Sequence, residues 1–143
     1  MKRNRAAFEF VEFMPTELKE GVIYVSMVYA TASHLCMCGC GERVVTPFSP
    51  TDWKLMFDGD SISIFPSIGS WDLACRSHYY ITNSAVQWAP TWTREEVAQA
   101  RIREELEKNA YYGDPATPAV ESVPESVEIS GVERFLRFLG FRK

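Results

Sequence analysis

Apolar residues recur at every second position through much of the chain between about residues 7 and 90, which is the spacing of β-strands. The clearest case is WKLMFDGDSISIF at 53–65, where large apolar side chains alternate along the chain on both sides of Asp58-Gly59. An Asp-Gly pair readily adopts the tight turn that joins two antiparallel strands. This segment therefore predicts a β hairpin.

Three further segments have the composition of strands. Residues 21–27, GVIYVSM, are rich in residues that favour a strand, and residues 78–89 predict a second hairpin with its turn at Asn83-Ser84. Residues 8–13, FEFVEF, predict an edge strand. Short strands joined by tight turns favour a mainly β fold, in which an antiparallel sheet forms a small barrel or sandwich.

A helix is predicted after these strands, over residues 93–110. TREE at its start is a capping box, in which the Thr93 hydroxyl accepts from the Glu96 amide and the Glu96 carboxylate reaches back. Apolar residues then recur at helical spacing among charged ones, at Ala98, Ile102 and Leu106. The pattern predicts a C-terminal surface helix with one narrow buried stripe.

Composition divides the chain into three regions. We expect residues 1–110 to form one mainly β domain with the helix trailing it. Residues 111–130 contain three prolines and several acids but few large apolar residues, which predicts a flexible acidic linker. Residues 131–143, GVERFLRFLGFRK, predict a short amphipathic helix that either folds back on the domain or docks on a partner.

Charge and hydropathy narrow the range of partners. The net charge of −4 argues against general binding to nucleic acid. The longest apolar runs are far below the ~20 residues of a membrane span, and MKRNRAAFEF at the start lacks the apolar stretch of a secretory signal. We therefore expect no nucleic acid or membrane partner and a cytoplasmic location, where clustered thiols more often bind metal or do chemistry than form disulfides.

Nearly all the thiols and imidazoles of the chain fall in two short segments, HLCMCGCG at 34–41 and CRSH at 75–78. Thiolates and imidazoles bind Zn²⁺ tightly, and two such clusters brought together by a fold make a closed structural site. The glycines beside the cysteines let the backbone turn around an ion. The candidate metal ligands are Cys36, Cys38, Cys40, Cys75 and His78.

Five candidates exceed the four ligands of a tetrahedral ion. The four cysteines would make a Cys₄ site and free His78, whereas Cys38, Cys40, Cys75 and His78 would make a Cys₃His site. The spacing also resembles the two loops of a Rieske [2Fe–2S] centre, but such a centre needs a histidine in each loop, and Cys40 stands in place of the first. The pattern favours zinc and leaves the choice of four ligands open.

Four segments carry a resemblance to a known bacterial family: FMPTELKEGVIYVS, HLCMCGCGERVVTPFSPTDWKLMFDG, FPSIGSWDLACRSHYYI and VQWA. By these motifs, the stretch from about residue 8 to residue 89 is identified as a member of the DUF6527 family. The resemblance implies a place in bacterial operons that encode ubiquitin-like proteins with E1- and E2-like enzymes and are linked to antiphage defence. It further implies a deubiquitinase-like serine protease that processes or deconjugates the ubiquitin-like partner.

A serine protease needs a hydroxyl nucleophile and a base within hydrogen-bond reach. His34 and His78 are the two histidines of the chain, and neither can act as the base while its nitrogen binds metal. Ser77 with His34 is one candidate pair, if the two cysteine segments meet at the metal. Ser67 with His78 is the other, and it requires a Cys₄ site. The carboxylates that could orient the base are Asp52, Asp58 and Asp72.

Two other functions remain open from the sequence. A zinc-dependent hydrolase needs an open coordination position for water, and a cysteine-rich ligand set argues against it. A non-catalytic zinc module could instead bind the conjugation machinery, with residues 131–143 as its docking segment.

The large rings of the β region are expected in the core, because they bury the most area per residue in a small domain. They are Trp53, Phe57, Trp71, Tyr79 and Trp88. Trp71 could instead line a groove for an extended C-terminal peptide.

Overall fold

The computed structural model describes residues 1–113, in which eight strands form two four-stranded sheets and a helix follows them. The elements are β1 (Ala7–Phe10), β2 (Val22–Ser26), β3 (Thr31–Leu35), β4 (Arg43–Pro47), β5 (Lys54–Phe57), β6 (Ile62–Gly69), β7 (His78–Thr82), β8 (Ala85–Trp88) and α1 (Arg94–Tyr112). The strand orders are β1-β2-β3-β4 and β5-β6-β7-β8. The predicted mainly β fold with a C-terminal helix is confirmed.

The two sheets meet at both flanks. Arg5, just before β1, bridges to Ala85 in β8, and Phe48, just after β4, bridges to Trp53 at the start of β5. Neighbouring strands are antiparallel except for β1 and β2, which pair in parallel. This parallel pair departs from the expected antiparallel sheet, and the long connection between β1 and β2 permits it because parallel strands need a crossover.

Apolar side chains from the facing sides of the two sheets form one core. Its fully buried members on the strands include Ile23, Val25, Ala32, Ile62, Ile64, Ile68, Tyr79 and Ile81. Met37 is also fully buried, although it lies in the turn between β3 and β4. Burying a side chain of this size stabilises the fold by about 1.5–3 kcal/mol, so Met37 anchors the turn that carries three of the cysteines.

Both predicted hairpins are confirmed, as β5–β6 and β7–β8. Asn83 and Ser84, in the second turn, have φ angles of 48° and 59°, the left-handed region that tight hairpin turns need. The β3–β4 hairpin was not expected from the sequence. Thr31–Leu35, TASHL, lacks the alternation of large apolar residues that marks a strand, and its small residues pack well only because β4 and the second sheet cover them.

The expectation that all five large rings are core residues is only partly confirmed. Tyr79 is fully buried, and Trp53 and Trp88 are partly buried against the core. Phe57 is 47% exposed, so its prediction as a core residue is wrong. It ends the edge strand β5, and its ring packs against the Phe8 and Phe10 rings at the rim.

The capping box at the start of α1 is confirmed. The Thr93 amide donates to the Glu96 carboxylate at 2.7 Å, and the Glu96 amide donates to the Thr93 hydroxyl at 3.2 Å. The predicted buried stripe is wrong, because Ala98, Ile102 and Leu106 are exposed and Val97 is buried instead.

Two salt bridges join α1 to the loops that precede β5 and β7. They join Arg101 to Asp72 at 2.7 Å and Lys108 to Asp52 at 3.0 Å. No helix in residues 1–113 combines the length and apolar character that crossing a bilayer requires.

The remaining sequence predictions concern the end of the chain. α1 continues to Tyr112, two residues into the predicted linker at 111–130. The rest of that linker and the predicted amphipathic helix at 131–143 lie outside the described residues.

Thr93→Ala should destabilise α1 by about 1 kcal/mol, because it leaves the Glu96 amide without its capping partner. Thr93→Ser keeps the hydroxyl and should retain most of the helix stability. Thermal unfolding followed by circular dichroism checks both variants, and equal melting temperatures for Thr93→Ala and the unsubstituted protein would contradict this role.

Candidate metal centre and active site

Four cysteine sulfurs converge at one end of the two sheets. Cys36, Cys38 and Cys40 lie in the turn between β3 and β4, and Cys75 lies three residues before β7. All four sulfurs lie within 4.8 Å of one another. The Cys75 Sγ is 3.8 Å from both the Cys36 Sγ and the Cys40 Sγ. The fold therefore brings together two segments that are about 35 residues apart in sequence.

These sulfur separations fit a tetrahedral ion. A zinc ion with Zn–S bonds of about 2.3 Å holds its sulfurs about 3.8 Å apart. A disulfide would bring two sulfurs to about 2.05 Å, and all four cysteines are free. The donor set is consistent with a metal such as zinc.

The backbone of the turn is shaped for this convergence. Gly39 and Gly41 have φ angles of 89° and 82°, which residues with side chains adopt only under strain. The Cys36 amide donates to the Glu42 carbonyl at 2.8 Å and closes the hairpin above the turn. The Cys40 amide points at the Cys38 Sγ, 3.4 Å away, as expected for a sulfur that carries negative charge.

The thiols differ in how readily they ionise. Burial raises the pKa of Cys36. At Cys38, burial opposes ionisation, but hydrogen bonds from the Ser77 hydroxyl and from Cys40 outweigh it and lower the pKa to about 6. Four adjacent thiolates would repel one another strongly, so a bound cation is the partner that lets all four lose their protons together.

His78 is not part of the group of four sulfurs. Its Nδ1 is hydrogen-bonded to the Pro90 carbonyl at 2.8 Å, and its ring packs 5.0 Å from the rings of both Trp71 and Trp92. His78 opposes Gly69 across the β6–β7 ladder. A Cβ at Gly69 would clash with the Trp71 indole, so the missing side chain lets Trp71 close over this part of the sheet.

The Nε2 atom of His78 is buried and has no hydrogen-bond partner among the described residues. A neutral imidazole that donates from Nδ1 to a carbonyl carries its lone pair on Nε2. The arrangement therefore leaves His78 free of the cysteine cluster, fixed in orientation, and able to take a proton at Nε2.

His34 and Ser77 lie beside the cysteine cluster, on the core side. The His34 Nε2 is hydrogen-bonded to the Tyr79 hydroxyl at 2.8 Å. Burial lowers the pKa of His34 to about 4 and raises the pKa of Tyr79, so this pair is neutral near pH 7. The Ser77 hydroxyl lies close enough to the Cys36 and Cys38 sulfurs to favour the ionised form of both thiols.

Ser67 lies on the side of the sheet that carries His78. Side chains alternate along a strand, so Ser67 shares a face with Gly69, and Gly69 shares a face with His78 because the two residues oppose each other. A cavity of about 450 Å³ covers this face, between β6 and the inner side of α1. Ser67, Gly69, Trp71 and Trp92 all line it. The half-buried Ser67 therefore faces open space beside the rings that enclose His78.

The three carboxylates proposed to orient a base have other partners. Asp52 pairs with Lys108, Asp72 pairs with Arg101, and Asp58 accepts from the amides of its own turn. Sequence reasoning did not name the Pro90 carbonyl or Trp92, the groups that hold His78. A carbonyl carries no sequence signal, and its place beside His78 follows only from the path of the chain after β8.

Cys75→Ser should reduce the bound metal to well below one ion per chain and lower stability by several kcal/mol, because it removes one corner of the tetrahedron. His78→Gln keeps all four sulfurs and should retain the metal. Elemental analysis of the purified variants distinguishes the two ligand sets. Loss of metal in His78→Gln together with its retention in Cys75→Ser would contradict a site made of four cysteines.

Comparison with known proteins identifies a family. Residues 10–89, more than half of the chain, match the family described as bacterial ubiquitination-like system serine protease, BubE. Comparison with curated proteins and with solved structures gave no match. The family name differs from the DUF6527 expected from the sequence, but the context of bacterial ubiquitin-like conjugation is similar. The matched segment contains every strand from β2 to β8, the four cysteines, and both serine–histidine candidates, and the chain belongs to the BubE family.

Proposed function

We propose that this protein is a serine-type protease that processes or deconjugates a bacterial ubiquitin-like protein, with Ser67 as the nucleophile and His78 as the general base. The observation that carries the proposal is the state of His78. It lies outside the cysteine cluster, its Nδ1 is bonded to the Pro90 carbonyl, and its Nε2 has no partner among the described residues.

The Pro90 carbonyl supports the role of His78 as a base. A carbonyl oxygen can only accept, so it selects the tautomer with the proton on Nδ1 and the lone pair on Nε2. A carboxylate does the same in a catalytic triad, and a carbonyl supplies the orientation without a full negative charge. The Trp71 and Trp92 rings keep water from the imidazole and hold its plane.

The shared face of β6 and β7 supports the pairing with Ser67. In the proposed reaction, the Ser67 Oγ attacks the scissile carbonyl while the His78 Nε2 takes the hydroxyl proton. The carbon–nitrogen bond breaks and His78 gives that proton to the leaving amine. Water then attacks the acyl-enzyme ester while His78 takes a proton from it. The ester bond breaks, His78 returns that proton to the Ser67 Oγ, and the carboxylate product leaves.

The alternative pair, Ser77 with His34, has less support. His34 is fully buried, and its pKa of about 4 makes it a weak base near pH 7. Ser77 is also buried, and its hydroxyl is engaged with the Cys36 and Cys38 sulfurs. A peptide bond would have to reach both residues through the core.

We assign zinc to the four cysteines as a structural ion. Four sulfurs complete a tetrahedron and leave no open position for water, which supports a structural ion over a zinc-dependent hydrolase. When bound, the ion would link the β3–β4 turn to the segment before β7. The proposed partners are the ubiquitin-like protein and its conjugates, with the E1- and E2-like enzymes of the same system, and the proposed location is the cytoplasm.

Ser67→Ala should abolish cleavage, because it removes the nucleophile. The substrate is the ubiquitin-like protein of a bacterial ubiquitination-like system, fused through its C-terminus to a reporter. Ser77→Ala is the matched control and should retain cleavage, although its weaker contact with the cysteines can lower stability. Gel electrophoresis of the fusion, with mass spectrometry of the new terminus, measures the result. Cleavage that survives in Ser67→Ala and disappears in folded Ser77→Ala would reverse the assignment.

A mild chelator provides a second test. A structural ion held by four sulfurs leaves slowly, so activity should persist after brief chelation and fall only as the protein unfolds. Parallel measurements of cleavage and of circular dichroism follow the two events. Rapid loss of activity in a fully folded protein, restored by added zinc, would instead favour a catalytic ion.

A further inference from the structure

A second cavity, of about 200 Å³, lies between two strand edges next to Ser67. β4 lines one side of it, and Ile68 and Gly69 at the end of β6 line the other. β5 covers only the first half of β6, since its pairs run from Lys54↔Phe65 to Phe57↔Ile62. Among residues 1–113, no strand therefore neighbours the second half of β6, where Ser67 lies, on this side.

The edge of β4 that faces the cavity has main-chain groups with no hydrogen-bond partner in the part of the chain that the structure describes. The Cys36 amide donates to the Glu42 carbonyl, and the Phe48 amide donates to the Ala30 carbonyl. The main-chain amides and carbonyls of the even-numbered residues of β4 therefore point toward β3. Bonded residues alternate along an antiparallel strand, so the amides and carbonyls of Arg43 and Val45 point away from β3. The Pro47 carbonyl continues this outward series and accepts from the Trp53 amide at 3.2 Å.

The end of β6 presents a matching edge. The Ser70 amide donates to the Ser77 carbonyl. At this end of β6, the main-chain groups of even-numbered residues therefore bond to β7. Main-chain groups of Ser67 and Gly69 consequently point away from β7. The Trp53 indole N–H confirms the direction, because it donates to the Ser67 carbonyl at 3.3 Å. Gly69, with no side chain, lines both cavities.

Trp53 bonds to both strand edges at one end of this second cavity, which we call the slot. Its amide donates to the carbonyl of Pro47, the last residue of β4, and its indole N–H donates to the Ser67 carbonyl of β6. Trp53 directly precedes β5, which pairs with β6. Its bridge to Phe48 places β5 next to the residue that follows β4. The chain turns away at Ser49–Asp52, so beyond Trp53 no described residue fills the position of one strand between β4 and β6.

We propose that an extended segment of the substrate fills this position as an added strand between β4 and β6, and that this strand carries the scissile bond to Ser67. The inference rests on the proposed function and adds the class of substrate to it: a ubiquitin-like protein whose C-terminal tail is extended and recognised through its main chain. Unpaired strand edges bind peptides in this way, with hydrogen bonds to the amides and carbonyls of the peptide.

Val45→Pro tests the β4 edge, because proline removes the outward amide of Val45 without removing a bond to β3. The experiment uses the inactive Ser67→Ala protein and the ubiquitin-like protein with its C-terminal tail intact, and it measures the dissociation constant by calorimetry. Val45→Ala is the matched variant that shortens the side chain but keeps the amide. We expect Val45→Pro to bind about tenfold more weakly than Val45→Ala, the effect of one lost hydrogen bond. Equal affinity of the two folded variants would overturn the proposal.

Hydrogen exchange provides a measurement that needs no substitution in the slot. In the Ser67→Ala protein, the amides of Arg43, Val45 and Gly69 should exchange more slowly when the ubiquitin-like protein is bound, and not when its tail has been removed. Unchanged exchange at all three amides in a saturated complex would also overturn the proposal.

The two proposals can fail separately. Cleavage by the unsubstituted protein, with no protection of these amides, would leave the protease standing and remove the added strand. Tail-dependent protection without any cleavage would support the added strand and contradict the proposed activity.

Discussion

The convergence of four sulfurs is the constraint on which the rest of the structure depends. It ties the β3–β4 turn of one sheet to the segment before β7 of the other, at a point where the two sheets share no strand ladder. A domain of this size is stable by only about 5–15 kcal/mol, and a structural metal contributes a comparable amount. Met37, buried between two of the cysteines, couples the same turn to the apolar core.

A second constraint follows from the first through the alternation of side chains. Ser77 and Tyr79 turn toward the sulfurs and the core, whereas His78 between them turns toward the Trp71 and Trp92 rings. One residue step along β7 thus separates the cysteine cluster from the face that Ser67 and His78 share. This separation leaves the His78 Nε2 without a partner among the described residues, although Cys75 of the cysteine cluster is only three residues away in sequence.

The site is assembled mainly from backbone. The Pro90 carbonyl orients His78, Gly69 makes room for Trp71, and the outward amides of β4 and β6 border the slot beside Ser67. A main chain has the same donors and acceptors in every substrate, so such a slot selects for an extended conformation more than for particular side chains. The proposed substrate, a ubiquitin-like protein with a flexible tail, would meet this preference.

The sequence by itself determined the local features of this protein: two hairpins, the capping box, and two cysteine segments that together hold the four sulfurs. Each depends on residues within a few positions of one another, so their pattern is visible along the chain. Only the tertiary structure decided which residues the cysteines contact and that the TASHL segment is a strand. It also decided that Phe57 is exposed, as are the stripe residues Ala98, Ile102 and Leu106. The partners of His78 were decided there too. Trp71 reaches it from the loop before β7, whereas Trp92 and the Pro90 carbonyl reach it from the segment after β8, and contacts between distant segments depend on the path of the whole chain.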